Sequence, residues 1–169
     1  MGLYPEIYWH LADRSSLIFH NAYLGKGFLS TISLLATGDL AGATTPYAHL
    51  NHEQDKEQLF EAIRTADYPN CPTRIKSFYC FASKADADRA KAEWYHGQEK
   101  ELVEVQIVKP SVFHRADSKL LDGGRDAWEK NAHLYWKGAT TNDPLLETIV
   151  HGMVFFPGWE RKPFGLLGL

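Results

Sequence analysis

The sequence predicts an α+β fold, on three observations. Short runs of β-forming residues alternate with stretches of helical character along the chain. One run, Leu102-Val103-Glu104-Val105-Gln106-Ile107-Val108, alternates apolar and polar residues at the period of a half-buried strand. Another, residues 55–66, places Leu59, Phe60 and Ile63 on one helical stripe. The strands are spread along the chain, with the helices mostly in its first two thirds.

Taken in order, Ile7-Tyr8-Trp9-His10-Leu11 is a short strand. Asp13 is a plausible N-cap for a helix from Arg14 to Ala22. From Gly25 to Asn51 glycines punctuate a long stretch without a clear period, and such connections inside a domain are often functional. The helix over Asp55–Ala66 ends at Tyr68-Pro69-Asn70-Cys71-Pro72, because proline cannot continue it. Ile75–Phe81 is an apolar strand, and Ser83 caps a helix from Lys84 to about His96. Pro110 closes the alternating strand, and Leu120–Gly124 is rich in turn residues. A helix over Asp126–Lys137, with Ala127, Asn131 and Leu134 on one side, ends at Gly138. Glu147–Phe156 is the last strand, stopped by Pro157-Gly158.

The chain of 169 residues fits one domain, and at this size about 70% of the unfolded surface can be buried. No repeat, low-complexity segment or linker is visible, so residues 1–169 are read as one domain with 160–169 as a terminal extension, loose or docked. Net charge is −3, from 18 basic and 21 acidic residues, which does not supply the positive field of a non-specific nucleic-acid binder. The two cysteines, Cys71 and Cys80, are too few for a disulfide framework and read as buried free thiols in a reducing compartment. No signal-peptide pattern opens the chain and no apolar run is long enough to span a bilayer, so a cytoplasmic location is expected.

No phosphate-binding glycine loop and no Gly-x-Ser-x-Gly elbow is present. His49, His52 and Glu53 lie close in sequence, but the stretch lacks helical signals and implies no third ligand, so no metal is expected. Three positions stand out instead. His10 lies at a strand end, Tyr79 where a strand runs into a helix cap, and Glu147 at the start of the last strand. A carboxylate opening a strongly β-forming run is costly if it faces a core without a partner. Each position also has a plain explanation: a satisfied half-buried histidine, a packed aromatic, and a strand-edge carboxylate in water.

In this order the three segments resemble the His-Tyr-Glu pattern of the ADP-ribosyltransferase superfamily. Most of the chain also resembles a bacterial family catalogued as domain of unknown function 2441. The resemblance is carried by residues 60–64 and 68–74, Leu102–Val108, Asn131-Ala132-His133-Leu134-Tyr135-Trp136 and Pro144-Leu145-Leu146-Glu147. The superfamily resemblance implies a split β-sheet core with flanking helices and an enzyme that consumes NAD as substrate, transferring ADP-ribose to a macromolecular acceptor. Glu147 would stabilise the sugar cation. Tyr79 would stack on nicotinamide, with Phe78 and Phe81 as alternatives. His10 would bind the adenosine ribose, Leu11 would offer main-chain groups to the carboxamide, and Arg14 and Arg74 would meet the pyrophosphate. Trp136 lies where relatives place an acceptor-recognition loop.

Two positions depart from the superfamily pattern. Ala12 stands where a Ser or Thr is usual. Leu145 stands where arginine-modifying relatives carry a carboxylate, which disfavours arginine as acceptor. A protein acceptor is expected ahead of nucleic acid, and a toxin, effector or defence role with an antitoxin or chaperone partner is compatible with such enzymes. An NAD-dependent RNA 2′-phosphotransferase and a non-catalytic binding module on the same fold are the alternatives.

Overall fold

A computed structural model of the protein describes residues 1–36 and 54–165. The fold is mixed α and β, with two antiparallel sheets. The chain groups into two compact units, each assembled from separated segments. The first comprises Met1–Ser30, Cys80–Ser111 and the described part of Gly152–Leu169. The second comprises Val112–His151 and the described part of Thr31–Tyr79.

In the first unit, β1 (Tyr8–Ala12), β2 (Phe28–Ser30), β4 (Glu101–Ile107) and β7 (Met153–Phe155) form a sheet in the order β1-β4-β7-β2. Tyr8 pairs with Val105, His10 with Val103 and Ala12 with Glu101. The alternation read over 102–108 is realised in β4, where Val105 and Ile107 are fully buried. The first helix, α1 (Leu17–Leu24), is capped by Ser16, whose hydroxyl accepts from the Ile18 N–H. Asp13 is therefore not the cap; it pairs with Lys100 at 2.8 Å. The segment up to Gly165 is docked rather than loose. Phe164 packs its ring 5.1 Å from Phe19 and 5.2 Å from Phe156, and His20 Nδ1 lies 3.0 Å from the Gly165 carbonyl oxygen.

The second sheet is formed by β3 (Phe78–Cys80), β6 (Leu146–His151) and β5 (Val112–Asp117), in the order β3-β6-β5, and all of it but Cys80 belongs to the second unit. Short α2 (Ile32–Leu35), α3 (Gln54–Asp67) and α5 (Trp128–Trp136) belong to that unit, while α4 (Lys84–Trp94) belongs to the first unit. The expected Ser83 cap is present, its hydroxyl accepting from the Asp86 N–H at 3.0 Å. The stripe on α3 is present too, with Phe60 and Ile63 in a cluster with Ala116, Tyr135, Trp136 and Ile149. Burying each large apolar side chain in it contributes about 1.5–3 kcal/mol.

Four expectations are corrected. The buried side of α5 is Trp128, Ala132, Tyr135 and Trp136 rather than Ala127, Asn131 and Leu134, and the helix starts after a 3₁₀ turn over Arg125–Ala127. The last strand is not continuous from 147 to 156. It breaks at Gly152, whose φ of +135° favours glycine, and a Cβ there would lie 2.4 Å from Ser111 Oγ. The unperiodic stretch after Gly25 contains β2 and α2 as far as Ala36; its remainder lies outside the described residues. So do His49, His52 and Glu53. Finally, Cys80 is fully buried but Cys71 is only half-buried.

Candidate functional site

The second unit contains a charge cluster inside its core. Its centre is Arg74, which follows the proline turn after α3 and is 1% exposed. Its Nε lies 3.1 Å from Glu57 Oε2 and its Nη1 lies 2.5 Å from Glu147 Oε1. The same Nη1 donates to Tyr135 Oη at 2.6 Å, and Tyr135 donates its own proton to Glu147 Oε1 at 2.6 Å. Three elements supply these groups: Glu57 from α3, Tyr135 from α5 and Glu147 from β6.

Helical and strand periodicities bring them to one place. On α3, Glu57 lies one turn before Phe60 and shares its buried side. On β6, Glu147 and Ile149 point to the same face, two residues apart, and Ile149 is in the same cluster as Phe60 and Tyr135. Glu147 sits opposite Ala116 and Ile149 opposite His114. Alternation therefore puts His114 on the face that carries Glu147.

Burial penalises the Arg74 cation, but the oxygens of Tyr135, Tyr79, Glu147 and Glu57 more than offset this and hold the guanidinium firmly protonated. Burial is also the main reason the Tyr135 phenol is pushed far above its usual range, so it stays a hydrogen-bond donor. His114 is shifted down, chiefly by burial, although its bond to the Tyr135 carbonyl oxygen and the Glu147 charge oppose the shift.

Glu147 is 1% exposed, and its two oxygens differ. Oε1 receives Arg74 and Tyr135. Oε2 is buried and has no hydrogen-bond partner among the described residues, as is the case for Ser77 Oγ and Thr148 Oγ1. A buried carboxylate oxygen with open lone pairs is an acceptor waiting for a donor.

Of the expected site residues, the structure brings Tyr79, Arg74 and Glu147 together. Tyr79 packs against the second unit's core, donates its hydroxyl to the Arg74 carbonyl oxygen and lies 5.7 Å, ring centroid to Cζ, from the guanidinium. Arg74, expected at a pyrophosphate, lies buried between two carboxylates, Glu57 and Glu147. Trp136 is likewise core, 2% exposed and donating its indole N–H to the Phe60 carbonyl oxygen at 2.9 Å.

His10, Leu11, Arg14 and Phe81 belong to the first unit. His10 is 6% exposed with its ring edge-on to Phe156 at 6.2 Å. Leu11 pairs with Leu102. Arg14 is largely exposed and pairs with Glu101 at 3.1 Å. Phe81 is buried against Trp94 and exchanges two 2.8 Å backbone bonds with Trp9.

Sequence reasoning missed Glu57 and Tyr135 as site groups. In sequence, Glu57 is one of several charges on its helix, and Tyr135 is one of two adjacent aromatics. A faint signal existed for Glu57, which lies three residues before Phe60 and so on the apolar side of its helix.

Among the described residues no helix is long and apolar enough to cross a membrane, and no group of three His, Cys, Asp or Glu could hold a metal ion. No curated protein matches the chain. Residues 34–156 match the model of a family described as protein of unknown function (DUF2441), and the chain belongs to that family.

Proposed function

We propose that this protein is an NAD-consuming mono-ADP-ribosyltransferase with Glu147 as its catalytic carboxylate, acting on a macromolecular acceptor, protein ahead of nucleic acid. The observation that carries the reading is the open oxygen of Glu147. Arg74 and Tyr135 occupy Oε1, while Oε2 is buried with no hydrogen-bond partner among the described residues. That is the feature required of a group that accepts a hydrogen bond from the 2′-hydroxyl of the nicotinamide ribose. Two antiparallel sheets with flanking helices are compatible with the expected split-sheet core.

In the reaction, the bond from the ribose anomeric carbon to the nicotinamide nitrogen breaks and the electron pair leaves with nicotinamide. The sugar is left as an oxocarbenium-like cation. Negative charge fixed nearby stabilises this state more than the ground state, because it costs no reorganisation when the charge develops. The acceptor's nucleophile then bonds to the anomeric carbon and releases its proton. Tyr79, pinned through its hydroxyl, is the candidate to stack on nicotinamide. Resemblance alone assigns roles to His10, Leu11, Arg14 and Phe81, which belong to the first unit, whereas Tyr79 and Glu147 lie in the second.

Burial of Glu147 sets a condition: a ribose hydroxyl reaches Oε2 only after the side chains over it shift. The same burial favours a second reading, in which Glu57, Arg74, Tyr135 and Glu147 form a structural ion-pair network in a non-catalytic module. The RNA 2′-phosphotransferase alternative draws no support here, because the charge of Arg74 is already balanced by two carboxylates.

The test is nicotinamide release from labelled NAD in cell lysate, with wild type beside Glu147→Gln. The transferase reading expects release and label transfer by wild type, reduced about 10²–10³-fold in the variant. No turnover and no NAD binding by wild type overturns it and leaves the structural network.

A further inference from the structure

We infer that Tyr135 is a positioning residue for Glu147, acting through the carboxylate and not on the substrate; this rests on the transferase reading above. Its hydroxyl stands between a cation and an anion, receiving Arg74 Nη1–H at 2.6 Å and donating to Glu147 Oε1 at 2.6 Å. Arg74 Nη1 reaches that same oxygen directly. Two donors on one oxygen, each from a side chain that is fully or almost fully buried, fix the orientation of the carboxylate. They also fill Oε1, so that Oε2 is the oxygen left for a ligand hydroxyl.

Tyr135 is held where this requires. Phe60 meets its ring edge-on at 5.8 Å, Trp136 at 4.9 Å and His114 at 5.9 Å. The Arg74 guanidinium lies over the ring at 5.0 Å. The His114 ring accounts for a second tie, through the carbonyl oxygen of Tyr135 at 2.9 Å. A phenol fixed at its ring, its backbone and its hydroxyl cannot turn away from Glu147 without breaking packing. An aromatic needed only to fill this core has no use for the hydroxyl, and a phenylalanine of the same shape would serve.

The consequence is a split between rate and binding. Tyr135→Phe keeps the ring and removes one donor from Oε1. The carboxylate then gains a freedom that must be frozen out again in the transition state, so kcat falls while KM for NAD is little changed. Losing one hydrogen bond to a charged group predicts a fall on the order of tenfold to a hundredfold. Because the effect passes through Glu147, it is not additive. In the Glu147→Gln background, adding Tyr135→Phe costs less than twofold.

The experiment measures nicotinamide release by wild type, Tyr135→Phe, Glu147→Gln and the double variant. The carboxylate infrared bands of wild type and Tyr135→Phe, each recorded with and without ¹³C-labelled glutamate, are compared as well. A shifted glutamate band, a fall in kcat at steady KM and a non-additive double variant support the inference. An unchanged kcat, or losses that multiply in the double variant, overturns it while wild-type turnover leaves the transferase reading standing. A glutamate band identical in both proteins overturns it whatever the activity. Silence of the wild type overturns the transferase reading and takes the positioning role with it, and a shifted band then records a structural hydrogen bond alone.

Discussion

Two buried carboxylates lie on neighbouring strands of the second unit, and they are satisfied in opposite ways. Asp117 ends β5 and Glu147 lies near the start of β6, opposite Ala116. Asp117 Oδ1 accepts the backbone N–H groups of Lys119 and Leu145, both at 3.0 Å. Its Oδ2 accepts the N–H and the hydroxyl of Thr141, both at 2.7 Å. Both oxygens are thus filled by neutral donors from the adjoining turns. Glu147 has a cation and a phenol on one oxygen and nothing from the described residues on the other. Asp117 is a closed staple that pins a loop. Glu147 is a half-open acceptor kept in place by a cation. Burial of a carboxylate therefore says little about function until its lone pairs are accounted for one by one.

The largest expected break comes from the cation. Arg74→Met removes the cation that Glu57 and Glu147 share, which costs about 3–5 kcal/mol. At this chain length that lowers the thermal midpoint by about 6–20 °C, read by calorimetry. A change under 2 °C would mean that the network is not closed as described. Asp117→Asn comes next. The amide cannot accept at both ends, so at least one buried N–H is left unmet at about 1–3 kcal/mol, with nicotinamide release per folded molecule unchanged. Gly152→Ala is comparable or smaller, about 1–3 kcal/mol, because the new methyl meets Ser111 Oγ at 2.4 Å in a backbone conformation that favours glycine. Its denaturant midpoint tests whether the break between β6 and β7 is required.

The pH dependence sharpens the same comparison. Burial alone would raise the Asp117 pKa, yet its four hydrogen bonds win and hold it below the usual carboxylate range. Its stabilising contribution is therefore complete above about pH 4 and lost as pH falls through the lower folded value. His114 is depressed too, but as a base: the fold prefers it neutral. Stability then declines as pH falls below about 6.5, where the unfolded chain takes up the proton first. Denaturant titrations across pH should show both slopes, and His114→Gln should flatten the upper one.

Much of this architecture was legible in the sequence because it depends on local periodicity. The alternation of 102–108 and the stripe on 55–66 correspond to β4 and α3 within a residue or two. β5 was overlooked although Val112, His114 and Ala116 alternate with other residues after Pro110; its polar His and Arg disguised a strand whose buried residues are at one end. The break at Gly152 was hidden by β-formers on both sides, though a glycine inside a strand pattern is itself a signal. In the site, Glu147 stood out as a carboxylate opening an apolar strand. Its partners did not, since Arg74 and Tyr135 lie 73 and 12 residues away in sequence and meet only in the folded unit. No local pattern reports that.

The most direct test of the central claim places the two carboxylates side by side. Nicotinamide release from NAD is measured for wild type, Glu147→Gln and Asp117→Asn, each normalised to its folded fraction. A catalytic Glu147 predicts wild-type turnover, a loss of about 10²–10³-fold for Glu147→Gln and no loss for Asp117→Asn. Equal rates in all three proteins, or no release by any, would contradict it and leave both carboxylates as structural groups.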